Sequence, residues 1–127
     1  MEEKSIEIPQ GKMTYLEDGS GPPLVFLHGA LATARAYIPL IELLGRSFRV
    51  IAPTHPGHGD SFILPKEWKF EDFGTAYHIF FEALQLTHFS VVGHSLGGAV
   101  GFLLASQGYA SSLVVMDSIG LPIAFST

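Results

Sequence analysis

The segment Val91-Val92-Gly93-His94-Ser95-Leu96-Gly97-Gly98 passes from an apolar strand-like run to a helical run with no loop between them. The chain must therefore reverse from strand to helix within one or two residues. So tight a turn forces Ser95, at its apex, into a sparsely populated backbone conformation and leaves its hydroxyl exposed. Gly93 and Gly97 stand on either side, where a side chain would collide with the neighbouring strand or helix. Any fold for this chain has to keep a strand, an apical serine and a helix together as one unit.

The rest of the chain alternates in the same way. Residues 5–9 and 12–17 read as half-buried strands, and the Gln10-Gly11 turn lets them pair antiparallel. A Gly/Pro cluster leads into Leu24-Val25-Phe26-Leu27, a continuous apolar run suited to a strand buried on both faces. Residues 33–46 carry Tyr37, Leu40, Ile41 and Leu44 at helical spacing, and residues 48–52 form the next buried strand. Residues 53–65, rich in proline and glycine, are loop.

Residues 70–86 are helical again, with Phe73, Tyr77, Phe80, Phe81 and Leu84 on one broad face. A strand at 89–92, a small-residue helix at 96–107 and a last strand, Leu113-Val114-Val115-Met116, complete the series. Trp68, Tyr37, Phe80 and Phe81 read as packing residues. The pattern predicts an α/β fold, a mainly parallel sheet of about six strands flanked by helices, in a single domain over residues 1–127. Right-handed crossovers bring the loops that start at His28, Pro53, His94 and Asp117 to one sheet edge.

Composition narrows the function classes. Seven basic against 12 acidic residues give a net charge of −5, with no Lys/Arg cluster, which argues against nucleic acid or an anionic membrane as partner. No cysteine is present, so disulfide and thiol chemistry are excluded. The start Met1-Glu2-Glu3-Lys4-Ser5-Ile6 lacks the basic and apolar regions of a signal peptide, and the expected location is cytoplasmic. Only 15% of residues are charged, against about 25% in typical soluble domains. Little polar material is left to cover a surface, which points to association.

The strand–G-x-S-x-G–helix context identifies a nucleophile elbow with Ser95 as the nucleophile. The helix that follows aims its free N–H groups and positive dipole end at a developing oxyanion. Two further segments stand in order before it. Leu27-His28-Gly29-Ala30 follows the first buried strand, and Pro53-Thr54-His55-Pro56-Gly57-His58-Gly59-Asp60-Ser61 follows the second.

With these three segments the chain resembles the α/β-hydrolase superfamily, in particular its small esterase, C–C hydrolase and thioesterase-like members. The first segment is similar to the family's H-G segment and the second to its P-x-x-P-G-x-G-x-S loop. The resemblance implies an oxyanion hole built from the N–H groups of Ala30 and Leu96, with His28, Gly29, Gly93, His94 and Gly97 as motif residues. It implies a serine hydrolase of small carboxylic esters that needs no cofactor or metal.

The family pattern continues for two more strands, which carry the triad acid and the general-base histidine. Because the sequence stops at Thr127, the resemblance implies a truncated, N-terminal portion of the fold and weak ester hydrolysis. Asp117, at the end of the last strand, is the candidate acid, and a turn cap on the alternative reading. His58, and after it His55, is the candidate base. Their H-x-x-H spacing offers a metal only two ligands on a proline-rich loop.

His28 and His94 read as packing and hydrogen-bonding residues, and His78 and His88 as helix and strand-start residues. Residues 120–127 resemble the start of a lid. Leu113 to Met116 reads as an apolar edge strand able to pair with a second chain in a homodimer. Two alternatives compete: a catalytically inactive self-associating scaffold or half of a split hydrolase, and a dinucleotide site on Gly93, Gly97 and Gly98. The latter wants a glycine where Ser95 stands.

Overall fold

Ile8 and Gly11 face each other across a tight turn that joins β1 (Glu2–Ile8) and β2 (Gly11–Asp18) into an antiparallel hairpin. The computed structural model describes residues 1–117, so the lid-like segment at 120–127 lies outside the described residues. The hairpin joins β3 (Pro23–Leu27), β4 (Arg49–Pro53), β5 (Phe89–His94) and β6 (Ala110–Met116) in one sheet of order β1-β2-β4-β3-β5-β6. β2 meets β4 antiparallel, and β4, β3, β5 and β6 run parallel. This is the mainly parallel α/β sheet that the alternation predicts.

Helices α1 (Ile38–Leu44), α2 (Phe70–Ala83) and α3 (Leu96–Ser106) cover the sheet. Val25 and Leu27 of β3 pack with Ile51, Val91, Phe73, Tyr77, Phe80, Val100 and Leu104 on the face of α2 and α3. Leu24 and Phe26 pack with Val50, Ala52 and Ile41 on the face of α1. Alternate residues of one strand thus feed opposite cores, which is why the β3 run is apolar without a break.

The expected helix over 33–46 is divided. A 3₁₀ turn at Ala34–Tyr37 precedes α1, and Pro39 lies in the first turn of α1. Proline has no N–H to donate and its ring would strike the carbonyl of residue 35 in a continuous helix, so the helix restarts there.

The strand order also positions the site. The chain leaves β3 toward β4 and then returns past β3 to β5. The loops after β3 and β5 therefore diverge over opposite faces and open a crevice at their carboxyl ends, the usual ligand position in such sheets.

Candidate functional site

Ser95 stands at that crevice. Its N–H donates to the Met116 carbonyl (2.9 Å), which prolongs the β5–β6 ladder, while its own carbonyl accepts from Gly98 (2.9 Å) and Ala99 (3.2 Å) in the first turn of α3. One residue thus ends a ladder and begins a helix. That double duty requires φ 56° and ψ −118°, a conformation rarely seen outside glycine. Holding a non-glycine residue there costs about 1–3 kcal/mol, and the surrounding packing enforces it.

The packing is unforgiving. A Cβ on Gly93 would lie 2.3 Å from the Gly97 carbonyl oxygen, and one on Gly97 would lie 2.0 Å from the Leu27 oxygen. α3 therefore begins directly on the end of β3. A Cβ on Gly29 would come within 3.3 Å of the Ser95 Cβ, so the loop after β3 touches the serine. Among the described residues, no acceptor is bonded to the N–H of Ala30 or of Leu96. Ala30 is exposed and Leu96 half-buried, one on each side of the crevice.

Beneath the crevice two histidines lock the loops after β3 and β4 together. His28 Nδ1 donates to the Gly29 carbonyl (2.6 Å) and its Nε2 accepts from the His55 N–H (2.9 Å). His55 Nε2 donates to the His28 carbonyl (2.8 Å), and its Nδ1 accepts from the Tyr77 hydroxyl (2.5 Å). Each ring thus uses one nitrogen as donor and the other as acceptor, an arrangement open only to the neutral form. Burial pushes His28 down to about 4. Burial, and then the neighbouring His28, hold His55 well below its ordinary range. Burial holds Tyr77 well above the usual tyrosine range, so its phenol keeps the proton it donates.

The loop after β4 is tied down by its own residues. Ser61 Oγ donates to the Thr54 carbonyl (2.8 Å) and accepts from the Thr14 N–H (3.1 Å) on β2. His58, half-buried, bonds through Nδ1 to the Pro56 carbonyl (3.0 Å) and sets its ring edge-on to His28 at 5.2 Å. Asp117 follows β6, is exposed and has φ 45°. Since the order is β4-β3-β5-β6, the structure brings His58 and Asp117 to the same sheet edge on opposite flanks of Ser95, but not to each other.

His94, next to Ser95, bonds through Nδ1 to the Tyr37 hydroxyl (2.7 Å). That hydroxyl also accepts from the Gly29 N–H (3.1 Å). Helical spacing alone marks Tyr37 as a packing residue, and its ring does pack on Phe26 (4.8 Å). Its hydroxyl is the signal that spacing does not carry, because the oxygen of a half-buried tyrosine usually finds a partner. Of the remaining histidines, His78 pairs with Glu82 (3.0 Å) on α2 and His88 precedes β5.

Among the described residues no group of three or more His, Cys, Asp or Glu side chains is arranged to hold a metal, and no helix is long and apolar enough to cross a membrane. A shallow cleft lined by Thr14, Thr33, Arg35, Thr54 and Asp60 opens beside the β4 loop, and Ser95 is not among its lining residues.

Comparison with known proteins agrees with this fold. The family model described as "alpha/beta hydrolase fold" matches residues 22–126. The chain is 32% identical to an (E)-2-((N-methylformamido)methylene)succinate hydrolase of Acinetobacter baylyi, over 76% of this chain and 37% of that protein. It is also 32% identical to a serine hydrolase-like protein of Homo sapiens, over 91% of this chain and 60% of the relative. The crystal structure of a membrane phospholipase A superposes with a TM-score of 0.87 at 26% identity, covering 94% of this chain and 40% of that one. The chain thus spans less than two thirds of the length of each of these proteins.

Proposed function

The chain belongs to the α/β-hydrolase fold family, and from that premise we propose that it is a serine hydrolase acting on small carboxylic esters, with Ser95 as nucleophile. The observation that carries the reading is the backbone of Ser95, φ 56° and ψ −118°, at the junction of β5 and α3. Strain of this kind persists where the surroundings impose it, and here it holds Ser95 beside the N–H groups of Ala30 and Leu96, which are bonded to no acceptor among the described residues.

In the proposed reaction Ser95 Oγ attacks the ester carbonyl carbon and its proton passes to a base. The carbonyl π pair moves onto oxygen, where the N–H groups of Ala30 and Leu96 receive it. Collapse of this intermediate breaks the C–O bond, and the alcohol leaves with the proton. Water then attacks the acyl-serine by the same route, releasing the acid and restoring Ser95.

His58 is our candidate proton acceptor and Asp117 our candidate acid. Strands β3 and β5 separate the strands that carry them, so they act singly rather than as a relay. An unsupported base is a poor one, and the expected turnover is weak. The test is hydrolysis of p-nitrophenyl butyrate by the protein beside Ser95→Ala. Turnover lost in the variant upholds the proposal, and equal rates in the two proteins reject it.

One observation favours self-association as well. Among the described residues β6 pairs only with β5, and Val114 on it is 56% exposed. An apolar edge with an unpaired ladder is a template for another strand. We propose pairing with β6 of a second copy about a two-fold axis. Sedimentation velocity should then show a dimer, and a monomer alone at working concentration would exclude it.

A further inference from the structure

We infer that Tyr37 is a positioning residue that sets the spacing between the two halves of the oxyanion hole, an inference that rests on the hydrolase reading above. The halves sit on different segments. Ala30 belongs to the loop after β3, and Leu96 to the first turn of α3. The β3–β5 ladder and the Leu27–Gly97 backbone contact hold the roots of the two segments together, but Ala30 lies three residues beyond Leu27, on the loop, and its placement needs a further noncovalent tie.

The Tyr37 hydroxyl is placed to be that tie. It accepts the Gly29 N–H at 3.1 Å, one peptide before the Ala30 donor. It meets His94 Nδ1 at 2.7 Å, two residues before the Leu96 donor. With one lone pair occupied by Gly29, the phenol proton is free to donate to Nδ1, which leaves the His94 ring proton on Nε2.

Space around Gly29 shows how closely the groups converge. A Cβ there would lie 3.1 Å from the Tyr37 hydroxyl, 3.2 Å from His94 Nδ1 and 3.3 Å from the Ser95 Cβ.

The tyrosine itself is anchored. Its ring packs on Phe26 of β3 at 4.8 Å and edge-on to His94 at 5.6 Å. The backbone at Tyr37 ends the 3₁₀ turn, and Pro39 restarts the helix immediately after it. The restart lets residue 37 leave α-helical register so that its hydroxyl reaches under the β3 loop. An oxyanion donor acts on charge that develops in the transition state, so moving one by a fraction of an ångström lowers kcat without weakening substrate binding.

Tyr37→Phe removes the hydroxyl and keeps the ring. The experiment measures kcat and KM on p-nitrophenyl butyrate, the melting temperature, and amide hydrogen exchange at Gly29 by NMR. Expected are a kcat about ten-fold lower or more, KM within about two-fold, and faster exchange at Gly29. An unchanged kcat in a protein whose parent shows Ser95-dependent turnover overturns the inference and leaves the hydrolase proposal standing. A parent without turnover removes the hydrolase proposal instead. The Gly29 amide then decides alone: lost protection keeps Tyr37 as the tie, and retained protection overturns it.

Discussion

The carbonyl oxygen of Leu27 lies 2.0 Å from the point a Cβ on Gly97 would occupy. Both partners are backbone at the centre of the fold, the end of β3 and the first turn of α3, so neither can swing aside. Gly97→Ala should therefore destabilise the protein by about 3 kcal/mol, the upper end of ordinary overpacking, read by urea unfolding. A loss under about 0.5 kcal/mol, the scale of a neutral surface substitution, would mean that the turn is looser than described.

Ser95→Gly is expected to act in the opposite direction. Glycine adopts φ 56° without steric cost, although it loses more entropy on folding. The net expectation is a gain of about 1 kcal/mol in stability together with complete loss of ester hydrolysis. A destabilised variant would contradict the expected gain.

The paired histidines predict a pH dependence with a definite sign. An ordinary histidine titrates near 6.5, while burial puts His28 at about 4 in the folded protein. Between those values the unfolded chain binds the proton and the folded chain does not, so falling pH favours unfolding. Stability is full above about pH 6.5 and is lost toward pH 4 at about 1.4 kcal/mol per pH unit for His28, with His55 adding in the same sense. Urea unfolding at pH 7.5, 6.0, 5.0 and 4.5 measures the slope, and a flat profile contradicts the neutral, doubly bonded rings.

Tyr77→Phe isolates one bond of that network. The variant leaves His55 Nδ1 buried without a donor, at an expected cost of about 1–3 kcal/mol. Equal stability in the two proteins would mean that the phenol contributes nothing to holding the β4 loop.

Much of this was legible from residues alone, for physical reasons. The uninterrupted run Leu24 to Leu27 announces a strand buried on both faces, and the small residues flanking Ser95 announce a turn with no room for side chains. What stayed hidden depends on contacts distant in sequence. Sheet order is one, and it alone puts His58 and Asp117 on opposite flanks of Ser95. The Tyr37 hydroxyl is another, since a ring at helical spacing reads as core whether or not its oxygen has work. Pro39 carried a readable warning that the first helix would break, because its missing N–H is a local property.

Ser95 is the proposed nucleophile of this chain, and covalent labelling with a fluorophosphonate followed by peptide mass spectrometry tests that role most directly. One adduct is expected, on the peptide that contains Ser95, and none on Ser95→Ala. An unlabelled protein, or a label that persists in the variant, would contradict it.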